Sequence, residues 1–150
     1  MSELLRILQP PGWVRPKGYA NGIAARGLQV HVSGMVGWDA EGRFHSDDFV
    51  EQARQALVNI VAVLAEAGAG PQHIVRMTWY VLDRHEYLGA GAGLGAAYRE
   101  VIGRHYPAMS AVQVAGLMEE RARVEIEVTA VVPDTVPDLV PDSVSEARPD

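Results

Sequence analysis

The sequence contains one acidic pair whose spacing suits catalysis, Glu125 and Glu127. Residues two apart on a strand point to the same face, so the two carboxylates should lie side by side. A charged side chain is rarely buried without a partner, and this face is therefore either solvated or part of a polar cleft. The spacing alone favours the solvated interpretation.

A second candidate is the methionine at the end of a short loop. Residues 104–114 read RHYPAMSAVQV, and Pro107 marks the loop that precedes an alternating strand. Loops of this kind often present a catalytic group, yet the side chain presented here is the thioether of Met109. A thioether is adaptable and apolar, and it has no charge with which to bind an anion.

A nucleotide cofactor is not expected. Gly91, Gly93 and Ala96 have the G-x-G-x-x-A spacing of dinucleotide-binding loops. However, Asp83 to Leu88 intervenes between the preceding strand and the glycine-rich run, and small residues also let a helix approach a sheet closely. We therefore predict that the protein uses no cofactor of this type.

Metal sites and activated nucleophiles are also unfavoured. The chain has no cysteine, and its histidines show neither H-x-H nor H-x-x-x-H spacing, so no metal site is expected. The histidines are His31, His45, His73, His85 and His105. Ser33 and Ser110 lack a recognisable His and Asp partner, and a serine hydrolase is therefore not indicated.

Hydrophobic periodicity predicts the first elements that position these residues. The alternation from Leu28 to Gly34 predicts a half-buried strand, and residues 20–27 are typical of its hairpin partner, with Gly27 in the turn. Residues 46–71 have apolar side chains at helical spacing, with Asp48 and Glu51 at the start and Gly-Ala-Gly-Pro at the end. The predicted inward residues are Phe49, Ala53, Leu57, Ile60, Val61 and Leu64.

The remaining elements define a fold class. Residues 73–83 predict a strand, residues 86–105 a second helix, and residues 107–114 and 121–133 two further strands. The second helix would turn Tyr87, Leu94, Tyr98 and Ile102 inward. The order β-β-α-β-α-β-β predicts an α+β fold with two helices on one face of a mixed sheet. The second face of that sheet would need another subunit to cover it.

Length and composition indicate one domain with a tail. The 150 residues are 48% hydrophobic, which suits a single core. We assign this domain to residues 1–132. Residues 133–150 repeat Val-Pro-Asp every four residues, and proline disfavours both helix and central strand. We therefore expect them to form a disordered tail.

Charge and hydropathy limit the partners. The tail holds five acids and one arginine, which leaves twelve bases and fourteen acids in residues 1–132. This near-neutral body has no basic stripe for a nucleic acid, so no such partner is expected. No run reaches the roughly 18 to 20 apolar residues of a membrane span, and the N-terminus lacks the basic flank of a signal peptide. We predict a cytoplasmic protein with no membrane partner.

Five blocks of sequence, in order, resemble the RidA/YjgF family of reactive-intermediate deaminases. They are GYANGIAARGLQVHVSG, QARQALVNIVAVLAEAGA, IVRMTWYVLD, YPAMSAVQV and VEIEVTAVVP, within residues 10–133. The resemblance implies a chorismate-mutase-like α+β fold, a homotrimer, and a small-molecule cleft between neighbouring subunits. It also implies hydrolysis of imines and enamines to 2-keto acids and ammonia without a cofactor.

The resemblance also implies which residues line the cleft. Tyr19 matches the family's N-terminal tyrosine, Gly34 matches the Ser-Gly of the second strand, and Glu125 matches the acid of its Val-Glu-Ile-Glu strand. Ser110 matches the last residue of a Pro-Ala-Arg-Ser motif. By this resemblance Glu125 is the catalytic candidate and the other three bind substrate.

Three polar positions of the family differ in this chain. The arginine of Pro-Ala-Arg-Ser, which grips the substrate carboxylate through two parallel hydrogen bonds, is replaced by Met109. The glutamine after Ser-Gly is Met35, and the asparagine of the second helix is Gly95. A free 2-imino acid should therefore bind weakly. Arg104 or His105, in the preceding loop, is a candidate for a substitute cation.

Two classes of function follow. The first is an enzyme that hydrolyses an imine or enamine lacking the usual carboxylate, with Glu125 orienting the water. The second is a non-catalytic trimeric protein that binds a ligand or regulates a partner through a Met-lined pocket. The sequence does not rank them.

Overall fold

The computed structural model of the protein describes residues 5–134. Within that range the chain forms six strands and three α-helices. They are β1 (Leu5–Leu8), β2 (Gly22–Ala25), β3 (Gly27–Val36), α1 (Phe49–Glu66), β4 (Ile74–Val81), α2 (Arg84–Gly89), α3 (Gly91–Val101), β5 (Ala108–Gln113) and β6 (Val124–Pro133). The predicted tail at 133–150 lies outside the described residues apart from its first two.

The main sheet has four strands in the order β3-β6-β4-β5. β6 pairs antiparallel with both β3 and β4, whereas β4 and β5 are parallel. A parallel pair needs a crossover connection, which α2 and α3 provide. Helices α1 and α3 pack on one face of this sheet, so the predicted α+β fold with a mixed sheet is confirmed.

The core lies between that face and the helices. Alternate residues of β4 and β6 point into it, among them Trp79 and Ile126, which are 2% and 0% exposed. Leu57, Ile60 and Leu64 of α1 are fully buried against them, as the helical periodicity predicts. Val61, also predicted inward, is only half-buried.

Helix α1 begins and ends at the predicted residues. The Asp48 side chain accepts a hydrogen bond from the Glu51 amide at 3.0 Å, which satisfies one of the free amides of the first turn. Gly68, with φ of 68°, ends the helix, and the Ala69 amide donates back to Leu64 O at 3.0 Å.

Gln52 is a fully buried polar residue of α1 that the sequence did not indicate. Its amide nitrogen donates to Ser46 O at 2.9 Å and to Arg121 O at 3.0 Å. Its carbonyl oxygen accepts from the Arg123 amide at 2.8 Å. These three bonds fasten two loops to the helix and leave little of the side chain's hydrogen-bonding capacity unused.

Two predictions about neighbouring elements were wrong. β2 does not form a hairpin with β3; it pairs antiparallel with β1, with Ile23 opposite Ile7. Gly27 is therefore not in a hairpin turn, but starts β3 at φ 149°, where a β-carbon would overlap Val132 O. The predicted second helix is two helices that meet at Ala90, since glycines on both sides weaken a continuous helix.

The second face of the sheet is largely polar. Tyr80 OH donates to Glu127 Oε1 at 2.6 Å, and this hydrogen bond raises the pKa of Tyr80 above its usual value. A depression of about 460 Å³ on this face is lined by residues that include His31, Arg76 and Glu127. The subunit expected to cover this face stays a prediction.

Between residues 5 and 134, no helix is long and apolar enough to cross a bilayer. In the same part of the chain, no three His, Asp or Glu side chains are grouped so that they could hold a metal ion.

Candidate active site

A cavity of about 530 Å³ lies between the β4–β5 side of the sheet and helices α2 and α3. Its aromatic lining consists of Trp79, Tyr87, Tyr98 and Tyr106. Leucines from α2 and α3 add to this apolar surface. Pockets of this volume, mostly apolar with few polar groups, are typical of small-molecule sites.

The aromatic side chains are held in defined positions. The rings of Tyr98 and Tyr106 are stacked, with centroids 5.6 Å apart and planes 10° from parallel. Tyr98 OH donates to His105 O at 2.6 Å, and burial raises the pKa of Tyr98 far above its usual range. Tyr98 is therefore neutral at physiological pH. Trp79 Nε1 is buried and has no acceptor within residues 5–134.

Met109 lies on the strand wall of this cavity. In the parallel pairing of β4 with β5 it is level with Met77, and both point toward the helices. The Ala20 amide donates to Pro107 O at 2.9 Å, which holds the N-terminal segment alongside the start of β5. Gly18 therefore reaches the cavity, whereas Tyr19 is 43% exposed and is not one of the lining residues.

Gly95 and Arg99 lie on the helical wall of the cavity, four residues apart on α3. Helical side chains lean toward the N-terminus, so Arg99 lies over Gly95. Arg99 Nη1 is 3.2 Å from the point where a β-carbon on residue 95 would be. Arg99 was not predicted as a lining residue, because the sequence does not show which side of α3 faces a cavity.

Gly34 and Glu125 form a second group, on the opposite face of the sheet. Gly34 lies at the irregularity between Val32 and Met35, where the β3–β6 register shifts. The Glu125 carboxylate lies over Gly34 so closely that a β-carbon there would overlap it. Met35 packs against the core instead of joining this pair.

The other predicted residues are placed apart. Ser110 is exposed on β5, level with Thr78 on β4. Neither suggested substitute cation is a lining residue of the cavity: Arg104 is exposed, and His105 Nε2 lies 2.6 Å from Ile74 O. The single chain thus brings Gly95 and Met109 together, and separately Gly34 and Glu125.

Known proteins resemble this chain in sequence and fold. Residues 14–132 match the family model described as endoribonuclease L-PSP. A RutC family protein of Synechocystis sp. is 33% identical over 133 residues, which are 87% of this chain and 97% of that protein. The 2-iminobutanoate/2-iminopropanoate deaminase of Salmonella typhimurium is 31% identical over 134 residues, 87% and 98% of the two chains. The crystal structure of the Rid-family protein YyfB from Yersinia pestis matches with a TM-score of 0.76 at 28% identity, over 86% and 99% of the chains.

Proposed function

Because the chain belongs to the RidA/YjgF family, we propose that it hydrolyses an imine or enamine that has no carboxylate beside the reacting carbon. The observation that carries this proposal is Met109 on the strand wall of an aromatic cavity. The resemblance assigns an arginine to this position. A carboxylate placed against a thioether would lose its hydration without gaining a cation, so an uncharged group is favoured there.

The proposed reaction is the addition of water to the imine carbon. Glu125 accepts a proton from the water as its oxygen bonds to that carbon, and the proton passes to the nitrogen. The hydroxyl proton of the resulting carbinolamine then passes to the nitrogen as the carbon–nitrogen bond breaks, which releases ammonia and leaves a carbonyl compound. An enamine would first take a proton at carbon to become the imine. No cofactor is needed for either step.

The proposed site requires more than one subunit. Met109 points toward the helices, whereas Glu125 lies on the opposite face of the sheet, so one chain cannot bring both to the same ligand. We propose a homotrimer in which Met109 and Gly95 of one subunit meet Glu125 and Gly34 of its neighbour. Such a closed ring would also cover the polar second face of each sheet.

An RNA substrate is not proposed, although the matching family model is described as an endoribonuclease. Residues 1–132 carry twelve bases and fourteen acids, which provides no net attraction to phosphates. The second candidate is a non-catalytic trimeric protein that binds a ligand or regulates a partner. It is favoured by the same apolar wall at Met109, which offers no charge to the reaction.

The proposal is tested by ammonia release from freshly generated neutral imines and from 2-imino acids. We expect the wild-type protein to accelerate hydrolysis of neutral imines, and Glu125→Gln to lower that rate by about 100-fold or more. Glu127→Gln is the matched control, because its amide oxygen can still accept from Tyr80. Light scattering should show that all three proteins are trimers. If no imine is hydrolysed faster than in buffer while a ligand binds, the second candidate replaces the first.

A further inference from the structure

We propose that Arg99 is an anion-binding residue on the helical wall of the Met109 cavity. It would hold a carboxylate that an apolar body separates from the reacting end of the ligand. The identity of the reacting end rests on the proposed function, whereas binding of the charged end is a separate property of the cavity.

The first support is the relationship between Arg99 and Gly95. At 3.2 Å from Arg99 Nη1, a β-carbon on residue 95 would be in unusually tight contact with the guanidinium. A larger side chain there, such as the asparagine implied by the resemblance, would compete with it for the same space. Glycine at this position therefore leaves the guanidinium room to lie along the cavity wall.

The second support is the absence of a competing anion. Of the carboxylates in the described part of the chain, none forms an ion pair with Arg99. The adjacent Glu100 pairs with Arg54, which also contacts Glu51. A guanidinium stays charged at any physiological pH and can bind a carboxylate through two hydrogen bonds. Arg99 is thus available to a ligand.

The rest of the cavity indicates the class of ligand. The stacked rings of Tyr98 and Tyr106 and the side chains of Trp79 and Leu94 provide a surface for an aromatic or branched apolar body. A volume of about 530 Å³ exceeds what a three- or four-carbon acid would fill. Met109 on the strand wall and Arg99 on the helical wall together favour a monoanion with its charge at one end.

The test is calorimetric titration of the full chain with 3-phenylpropionate and with its neutral counterpart 3-phenylpropanol. We expect wild type to bind the acid about 5- to 10-fold more tightly than the alcohol, a modest ratio because Arg99 is solvent-exposed. Arg99→Gln should remove this preference while leaving affinity for the alcohol unchanged. Gly95→Asn, which crowds the guanidinium, should reduce it. Arg104→Gln is the matched control, since Arg104 is exposed and outside the cavity.

Three results would overturn the proposal: equal affinity of wild type for acid and alcohol, no binding of either, or an equal loss in Arg104→Gln and Arg99→Gln. Failure of the proposed function gives a different result. In that case the preference for the acid persists and depends on Arg99, but no imine is hydrolysed. Circular dichroism and light scattering of each variant show whether its fold and assembly are intact.

Discussion

The carboxylate of Glu125 occupies the space that a β-carbon on Gly34 would need. Because glycine has no side chain, the carboxylate can rest directly on the backbone of β3 where its register with β6 shifts. Glu127, two residues further along β6, is instead fixed by Tyr80. The two glutamates of the strand therefore differ, and Glu125 is the one without a side-chain partner in the described structure.

Gly34→Ala should impair function more than stability. The new methyl group would overlap the carboxylate and Cγ of Glu125 and push that whole side chain aside, at a cost of about 1–3 kcal/mol in the free energy of unfolding. If Glu125 positions the water, its displacement should lower the rate of imine hydrolysis by at least about 10-fold. Gly116→Ala is the control, because nothing lies within 4 Å of its added carbon. Full activity of Gly34→Ala would contradict the role given to Glu125.

Gln52→Leu should destabilise the fold. Leucine is similar in size but would leave the Ser46 and Arg121 carbonyls and the Arg123 amide without their present partner. We expect the free energy of unfolding to fall by about 2–4 kcal/mol, measured by urea denaturation. Gln55→Leu, on the same helix, loses only a hydrogen bond to Asn59 and should cost under about 1 kcal/mol. Equal effects would show that the buried bonds contribute little.

The Asp39 loop should lose stability in acid. The Arg43 amide, the His45 ring and the Glu41 amide all bond to the Asp39 carboxylate and lower its pKa from 3.8 to about 2. Because the folded-state pKa is the lower one, this contribution is complete above about pH 4 and is lost as pH falls through about 2. The free energies of unfolding of wild type and Asp39→Asn, measured by denaturation at a series of pH values, should therefore converge between pH 4 and 2. A carboxyl titration by NMR with a midpoint near 3.8 would refute this.

Local signals in the sequence predicted the elements better than the contacts between them. Asp48 and Gly68 mark the ends of α1 because capping depends on neighbouring residues. The pairing of β2 with β1 depends on residues far apart along the chain, and the strand pattern of β2 carries no mark of its partner. The burial of Gln52 likewise depends on carbonyls from distant loops.

Only part of the candidate site could be predicted, because the site also depends on contacts between residues that are far apart along the chain. Alternation along β5 and β6 predicts the faces of Met109 and Glu125, but periodicity cannot show that these faces are opposite sides of one sheet. Arg99 could be predicted as a lining residue of the cavity only if it were known that the Gly95 side of α3 faces that cavity. The resemblance identifies position 109 as the site of the missing arginine, and the predicted substitute cations were in the loop before it. The cation that lines the cavity comes from the preceding helix.

Deletion of residues 134–150 should leave folding and assembly unchanged. The prediction rests on their composition, since Val-Pro-Asp repeats have little apolar surface to bury. The shortened chain still contains all ten residues of β6, which ends at Pro133. Light scattering should give the same number of subunits per assembly as for the full chain. Thermal unfolding should give the same midpoint temperature. A loss of assembly would mean that this segment takes part in the subunit interface.

Met109→Arg should create a binding site for small 2-keto acids. The guanidinium would stand on the strand wall, where the resemblance implies that the family binds its substrate carboxylate. Pyruvate is a stable mimic of the corresponding 2-imino acid, and we expect its affinity to rise by about 10-fold, measured by calorimetry. Met109→Gln is the control, because it has a similar length and no charge and should give no gain.

The gain from Met109→Arg should remain modest for two physical reasons. Bidentate recognition requires neighbouring groups that hold the guanidinium in place, and Met35, which is half-buried against the core, supplies none of the hydrogen bonds that a glutamine would. The new guanidinium would also share the cavity with Arg99, and like charges repel each other. Adding Arg99→Gln should therefore strengthen pyruvate binding if repulsion dominates, and weaken it if both arginines bind the carboxylate. If Met109 instead only packs an interface, Met109→Arg would bury an unpaired charge, and light scattering would detect dissociation without any pyruvate binding.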